Sequence, residues 1–280
     1  MGRKTAVVTG GTSGLGEAAS VALGRADWRV LVVGRDAERG ADVAARAGHG
    51  SRFFAADLFS LSDVRRLAGE LRAEAPQIDL LINNAGGVFG KAPPTVDGLE
   101  RTFALNVAAP LVLTEALLGP LSAANGRVIN VVTGLNASMK TRLDQLVGAK
   151  ASGGFFGYAR NKLALLAVTM EEQARWSDRG VTFVALHPGI IPTTRFGHTL
   201  TGFNPFTTIG PMVAKLFRLG VTEDVAAERY VRLASEPVEG GGYYFEGVLR
   251  PAPKQLADEA FVRSVWDLVE SATRPTRAAA

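Results

Sequence analysis

Thr5-Ala-Val-Val-Thr9 running into Gly10-Gly11-Thr12-Ser13-Gly14-Leu15-Gly16 is the stretch whose reading decides the fold. A short β-branched apolar run without alternation reads as a strand buried on both faces. The glycines follow at once, and Ala18, Val21, Ala22 and Arg25 continue in a helical pattern. Strand, glycine turn and helix start together make an anion site. Glycines let backbone approach a pyrophosphate, while the helix N-terminus offers unpaired N–H groups and a positive dipole end.

Outward from that unit, Trp28-Arg-Val-Leu-Val-Val33 reads as a second strand ending in Gly34-Arg35-Asp36. Arg35 stands about twenty residues beyond Gly16, where a dinucleotide-binding fold reads the adenosine ribose. An acidic side chain there bonds a free 2′-hydroxyl, whereas a guanidinium suits a 2′-phosphate. NADP(H) is therefore expected ahead of NAD(H). Asp36 argues the other way, but it also fits as N-cap of a helix from Ala37 to Ala47.

The same alternation continues. Ser51 to Leu58 reads as the third strand, and Leu61, Val64, Leu67, Ala68 and Leu71 give a helix one apolar face. Ile78 to Ile82 is the fourth strand. Asn83-Asn84-Ala85-Gly86 after it is a small-residue corner where a flat ring can lie against backbone. A long helix is expected from about Leu99 to Leu118 with Asn106 in its interior. The fifth strand, Arg127 to Val132, ends at Thr133-Gly134, and the sixth, Val181 to Leu186, leads into His187-Pro188-Gly189. A long apolar loop follows, of a kind uncommon unless it covers something. Thr222 caps a helix to about Ala234, Gly242 to Phe245 is a last edge strand, and a helix runs from Gln255 to Glu270. This order predicts an α/β fold: one Rossmann-type, doubly wound parallel sheet of about seven strands with helices on both faces. A single domain is expected over residues 1–272, with a lid at about 190–220 and a flexible tail at 273–280.

With 47% apolar and 21% charged residues the chain has the composition of an ordinary globular protein. Its net charge of +4 is spread among acidic residues without a basic stripe, so no nucleic-acid partner is expected. Cysteine is absent, which excludes disulfides and thiolate chemistry. His49, His187 and His198 lack paired ligand spacing, so no metal site is expected. Glycines interrupt the N-terminus too early for a signal h-region, and no stretch has about 18 apolar residues in a row. A cytoplasmic protein without an integral membrane segment is the expectation.

Chemistry enters at Gly157-Tyr158-Ala-Arg-Asn-Lys162. In a helix, Tyr158 and Lys162 lie one turn apart on one face. An ammonium beside a phenol stabilises the phenolate and pulls its pKa down, which makes the phenol a usable general acid.

These motifs, in this order, make the chain resemble the short-chain dehydrogenase/reductase family from about Lys4 to Glu270. The carriers are Thr9 to Gly16, Asp57, Asn83 to Gly86, Asn106, Tyr158 with Lys162, and Pro188-Gly189 with Thr193. Arg35-Asp36, the long stretch before Tyr158, His187-Pro-Gly and Gly242-Tyr-Tyr-Phe245 look most like the branch of retinol dehydrogenases and protochlorophyllide reductases. The resemblance implies that Gly10, Gly14 and Gly16 line the pyrophosphate, with Ser13 and Arg35 near the 2′-phosphate. It also implies Asp57 at the adenine, Asn84, Ala85 and Gly86 at the adenosine side, and Thr193 at the carboxamide. Thr12, Leu15, Leu58, Pro188, Gly189 and Ile191 complete the implied cofactor contacts. Lys162 is implied to hold the ribose hydroxyls, and Asn106 to distort its helix and hold a water of a proton relay. One position departs from the family pattern: Thr133 stands where the family has its catalytic serine. Its hydroxyl has the same hydrogen-bonding capacity as serine, with a stiffer side chain. Ser138 and Ser152 are its rivals.

The expected activity is NADP(H)-dependent hydride transfer between nicotinamide and a carbonyl or secondary alcohol, with Tyr158 as general acid/base. Phe155, Phe156, Ile190 and Phe196 point to a hydrophobic substrate. Reduction of an activated C=C bond and a catalytically inactive NADP-binding regulator are the alternatives, the second resting on Thr133 alone. A homodimer is expected ahead of a monomer, through Leu163, Leu166 and Met170 or around Leu111, although those faces also suit a core. Met212 to Leu219 looks basic and amphipathic and is read as lid ahead of membrane contact.

Overall fold

The computed structural model describes residues 2–90, 92–134, 140–147, 151, 153–191 and 220–274. Strands β1 (Thr5–Thr9), β2 (Arg29–Gly34), β3 (Arg52–Ala55), β4 (Leu80–Asn83), β5 (Arg127–Val131), β6 (Thr182–His187) and β7 (Tyr243–Phe245) run parallel. An eighth, β8 (Val248–Arg250), folds back antiparallel on β7, so the sheet order is β3-β2-β1-β4-β5-β6-β7-β8. β7 is therefore not the edge strand that the sequence predicts. Glu246 and Gly247 make the turn, both at positive φ (54° and 84°). A two-residue hairpin loop of this kind ordinarily advertises itself with Asn or Asp before the Gly, and here Glu occupies that place.

The helices cover both faces. On one side α1 (Gly14–Arg25) packs beside α2 (Ala37–Ala47) and α7 (Glu223–Ser235). On the other lie α3 (Leu61–Glu74), α5 (Ala109–Ala123), α6 (Gly154–Trp176) and α8 (Glu259–Thr273). Local chemistry sets several starts: the Asp36 carboxylate accepts from the Arg39 N–H at 3.1 Å, and the Thr222 hydroxyl accepts from the Val225 N–H at 3.3 Å.

The long helix expected over Leu99 to Leu118 is broken. A short turn, α4 (Arg101–Phe103), passes into a π-helical segment, Ala104–Ala108, before α5 begins. The stretch Arg101–Ala123 is long and apolar enough to cross a membrane by composition, unlike the sequence expectation of no such segment, but 78% of its apolar window is buried inside the molecule.

α8 lies across α6. The Trp176 and Trp266 rings meet edge to face at 5.4 Å, and the Arg175 guanidinium sits 4.6 Å above the Trp266 ring. Leu111, Leu163 and Leu166, the residues expected to pair two subunits, are buried in this core, and Met170 packs against it.

Candidate active site

The strand order reverses between β1 and β4, and both strands end at the same edge. In such a sheet, ligands bind in the crevice outside the strand ends at that reversal. The crevice is lined by glycines whose missing side chains make room. Gly10 sits at φ 64°, and a Cβ there would lie 3.0 Å from Ala85 Cα. At Gly16 a Cβ would lie 2.2 Å from the Gly10 carbonyl oxygen and 2.5 Å from Asn84 Nδ2. Gly14 is also left-handed, at φ 54°. Ser13 occupies the N-cap of α1, and its hydroxyl makes no capping bond to the first turn. The backbone there is cradle-shaped, and a dinucleotide fits the residues present.

The second wall is pinned to the first. Asn84 Nδ2 donates to the Thr9 carbonyl at 2.9 Å, and the Ala85 N–H donates to Thr9 Oγ1 at 3.0 Å. Thr12 and Leu15 are buried behind the loop, with Thr12 packed against Gly34. At the far end of the crevice Arg35 is exposed, its guanidinium 6.0 Å from the ring of Phe59, which is buried together with its neighbour Leu58. Asp57 is exposed, and one of its oxygens accepts from the Phe59 N–H at 3.1 Å.

Asn106 explains the π-helical segment. Its Nδ2 donates to Thr102 O at 2.7 Å and to Gly87 O at 2.9 Å, while its Oδ1 accepts from the Gly87 N–H at 3.3 Å. A side chain that binds a loop in this way distorts its own helix, as π-bulges at functional sites commonly do. Asn106 thereby holds Gly86-Gly87 over Lys162: a Cβ on Gly86 would lie 2.8 Å from Asn106 Oδ1 and 3.2 Å from Lys162 Nζ.

Lys162 and Tyr158 share the buried face of α6, with the ammonium 5.8 Å from the centre of the phenol ring. The lysine donates to the Val131 carbonyl at 2.7 Å. Burial pushes the ammonium down to about 7 and pushes the phenol up from its ordinary value. The latter is opposite to the direction expected from the charge pair alone. Both groups are buried, so desolvation of the charged forms outweighs their mutual attraction.

Thr133 follows β5 and is buried at the same edge. Beside it a Cβ on Gly134 would lie 2.7 Å from the Phe245 ring and 3.2 Å from His187. His187 packs on Phe245 with centroids 4.6 Å apart. Burial, with Arg229 nearby, pushes the imidazole down to about 4 against the opposing pulls of Glu246 and the Val132 backbone. It is neutral at neutral pH. Arg229 donates to the Pro188 carbonyl, and Gly189 sits at φ 107°. Ile191 packs against the core, Ile190 is 60% exposed, and the Ile190 carbonyl accepts from the Val221 N–H at 2.9 Å. Phe156 is 64% exposed beside Phe155. Thr193, Phe196, Ser138, Ser152 and the lid proper lie outside the described residues.

Sequence reasoning missed two polar groups here. Tyr230 on α7 donates to Asn84 Oδ1 at 3.2 Å. Glu172, buried on α6, accepts from Asn130 Nδ2 at 2.7 Å, and Asn130 Oδ1 accepts from Asn83 Nδ2 at 2.8 Å. Burial pushes this carboxyl up to about 8; the Asn130 bond opposes the shift and the Glu115 charge adds to it. Neither residue carries a local sequence signal.

Comparison with known proteins accords with this geometry. The family model for short chain dehydrogenases matches residues 4–201. Over 289 aligned residues the chain is 35% identical to a Streptomyces sp. (strain C5) protein named as a daunorubicin C-13 ketoreductase, DnrU, covering 98% of this chain and 93% of the relative. Human retinol dehydrogenase 13 is 32% identical over 94% of this chain and 82% of its own length. Among solved structures, the Pseudomonas aeruginosa RhlG/NADP active-site complex superposes with a TM-score of 0.70 at 25% identity, over 87% of this chain and 95% of that one. By sequence along nearly its whole length and by the shape of its crevice, the chain belongs to the short-chain dehydrogenase family.

Proposed function

We propose that the protein is an NADP(H)-dependent oxidoreductase acting on a carbonyl, or the corresponding secondary alcohol, of a hydrophobic substrate. The observation that carries this reading is the Tyr158 phenol, buried one helical turn from Lys162 at the strand-end crevice. A neutral phenol at that place can donate a proton to an oxygen that is becoming an alkoxide. The nicotinamide supplies the hydride for the carbonyl carbon. Thr133 orients the oxygen, and Lys162 keeps a positive charge close to Tyr158 whenever it is protonated. Asn106 fixes Gly86-Gly87 above Lys162 and retains a lone pair on Oδ1 for one further donor, as a proton relay requires.

The exposed Arg35 at the end of β2 supports NADP(H) over NAD(H). Exposed Phe156 and Ile190 near the crevice, and the Phe245–His187 stack beside Gly134, support an apolar substrate. Relatives named as a ketoreductase and a retinol dehydrogenase support chemistry between a carbonyl and an alcohol.

The test is turnover of NADPH across a panel of apolar and charged ketones and aldehydes by wild type and Tyr158→Phe. Apolar carbonyls are expected to be preferred. The variant should lose about 10²–10⁴-fold in kcat while binding NADPH as before. Full turnover by a cofactor-bound Tyr158→Phe protein would sink the assignment.

A further inference from the structure

A tyrosine enclosed on all sides must put its hydroxyl on a partner. Tyr230 is 0% exposed, and its neighbours on the buried face of α7, Ala226, Ala227 and Leu233, are apolar. Phenylalanine would fill the same space. The hydroxyl does something that packing does not need, because it donates to Asn84 Oδ1 at 3.2 Å, across 146 positions of sequence.

Asn84 is the residue through which the two walls of the crevice meet. Its Nδ2 donates to the Thr9 carbonyl at the end of β1, and the same nitrogen touches the space that Gly16 leaves open. An amide can present its two ends either way round unless both are held. Here the Thr9 carbonyl can only accept, which fixes the Nδ2 end, and the Tyr230 hydroxyl donates to the Oδ1 end, so the amide is held at both ends. The Ala85 N–H on Thr9 Oγ1 then completes the attachment of residues 84–86 to β1.

We propose that Tyr230 is a positioning residue for cofactor binding: its hydroxyl locks the Asn84 amide and thereby holds the 84–86 backbone in register with the glycine loop. α7 also carries Arg229, which grips the Pro188 carbonyl. One helix thus braces two loops of the crevice, the one after β4 and the one after β6. The proposal rests on reading the glycine cradle as the cofactor site.

Tyr230→Phe keeps the packing and removes only the hydroxyl. With NADPH as the probe, its dissociation constant is expected to rise about fivefold, the factor corresponding to a net hydrogen bond of about 1 kcal/mol. KM for NADPH should rise in parallel while kcat stays within about twofold. In an Asn84→Ser background, the same substitution should change the dissociation constant by less than about twofold, because the path of its effect is gone. Asn84→Ala supplies a second background should Asn84→Ser fold poorly. An unchanged NADPH affinity in Tyr230→Phe, with only a lower melting temperature, would overturn the proposal. So would an equal fivefold loss with and without Asn84. Wild-type protein that bound neither NADPH nor NADH would refute the cofactor reading beneath it, a distinct result.

Discussion

At Thr133 the extra methyl restricts the rotamer but leaves the hydroxyl. If that hydroxyl orients the substrate oxygen, Thr133→Ala should lose about 10²–10³-fold in kcat, the usual cost of one oriented donor. Thr133→Ser should retain activity, measured with the same ketone. An Ala variant with wild-type turnover would transfer the role to Ser138 or Ser152. Arg35 makes a separable prediction. Replacing it with Ala should cost about 10–100-fold in kcat/KM for NADPH and little for NADH, since a charge-assisted contact contributes about 1.5–3 kcal/mol. Equal losses with both cofactors would place the guanidinium outside the 2′-phosphate site.

Between residues and the whole chain stands the polar seam that ties β4, β5 and α6 together: Asn83, Asn130 and Glu172, with Thr114 and Thr169 at its ends. Glu172 is raised to about 8 from an ordinary 4.5. Below pH 4.5 both folded and unfolded chains carry its proton. Between 4.5 and 8 the unfolded chain releases that proton and the folded one keeps it, so this group's contribution makes stability fall as pH rises. Glu172→Gln keeps the acceptor for Asn130 and removes the titration. The variant should match wild type near pH 4.5 and exceed it above pH 8 by an amount on the order of 5 kcal/mol. Urea unfolding of both proteins across that range is the measurement, and parallel pH curves would refute it. Elements set by local chemistry were legible in advance: α2 begins and ends where Asp36 and the apolar pattern put it. What depended on distant partners was not. The break at Asn106 comes from a bond to Gly87, and β8 depends on Glu246 accepting a positive φ. Tyr158 and Lys162 were legible from helical spacing, yet the phenol's shift runs the other way, because spacing says nothing of how deeply the pair is buried. Tyr230 could not be found at all, since its meaning lies in Asn84.

Across the whole molecule, α6, the helix of Tyr158 and Lys162, is closed by a helix that comes much later in the sequence. Tyr158 and the start of α8 at Glu259 are separated by about a hundred residues. A chain grows at about 5–20 residues per second, so α6 would wait roughly 5–20 s for the surface that covers Trp176. During that interval the face of α6 that α8 covers would stand bare, which predicts sensitivity to proteolysis. Ribosome-bound chains arrested before Asp258 should be cut within α6 much faster than chains whose α8 has emerged, and equal cutting rates would show that α6 closes without it. Closure of α6 is then a matter of timing, with the whole helix made long before α8, the wall that covers its Trp176 end.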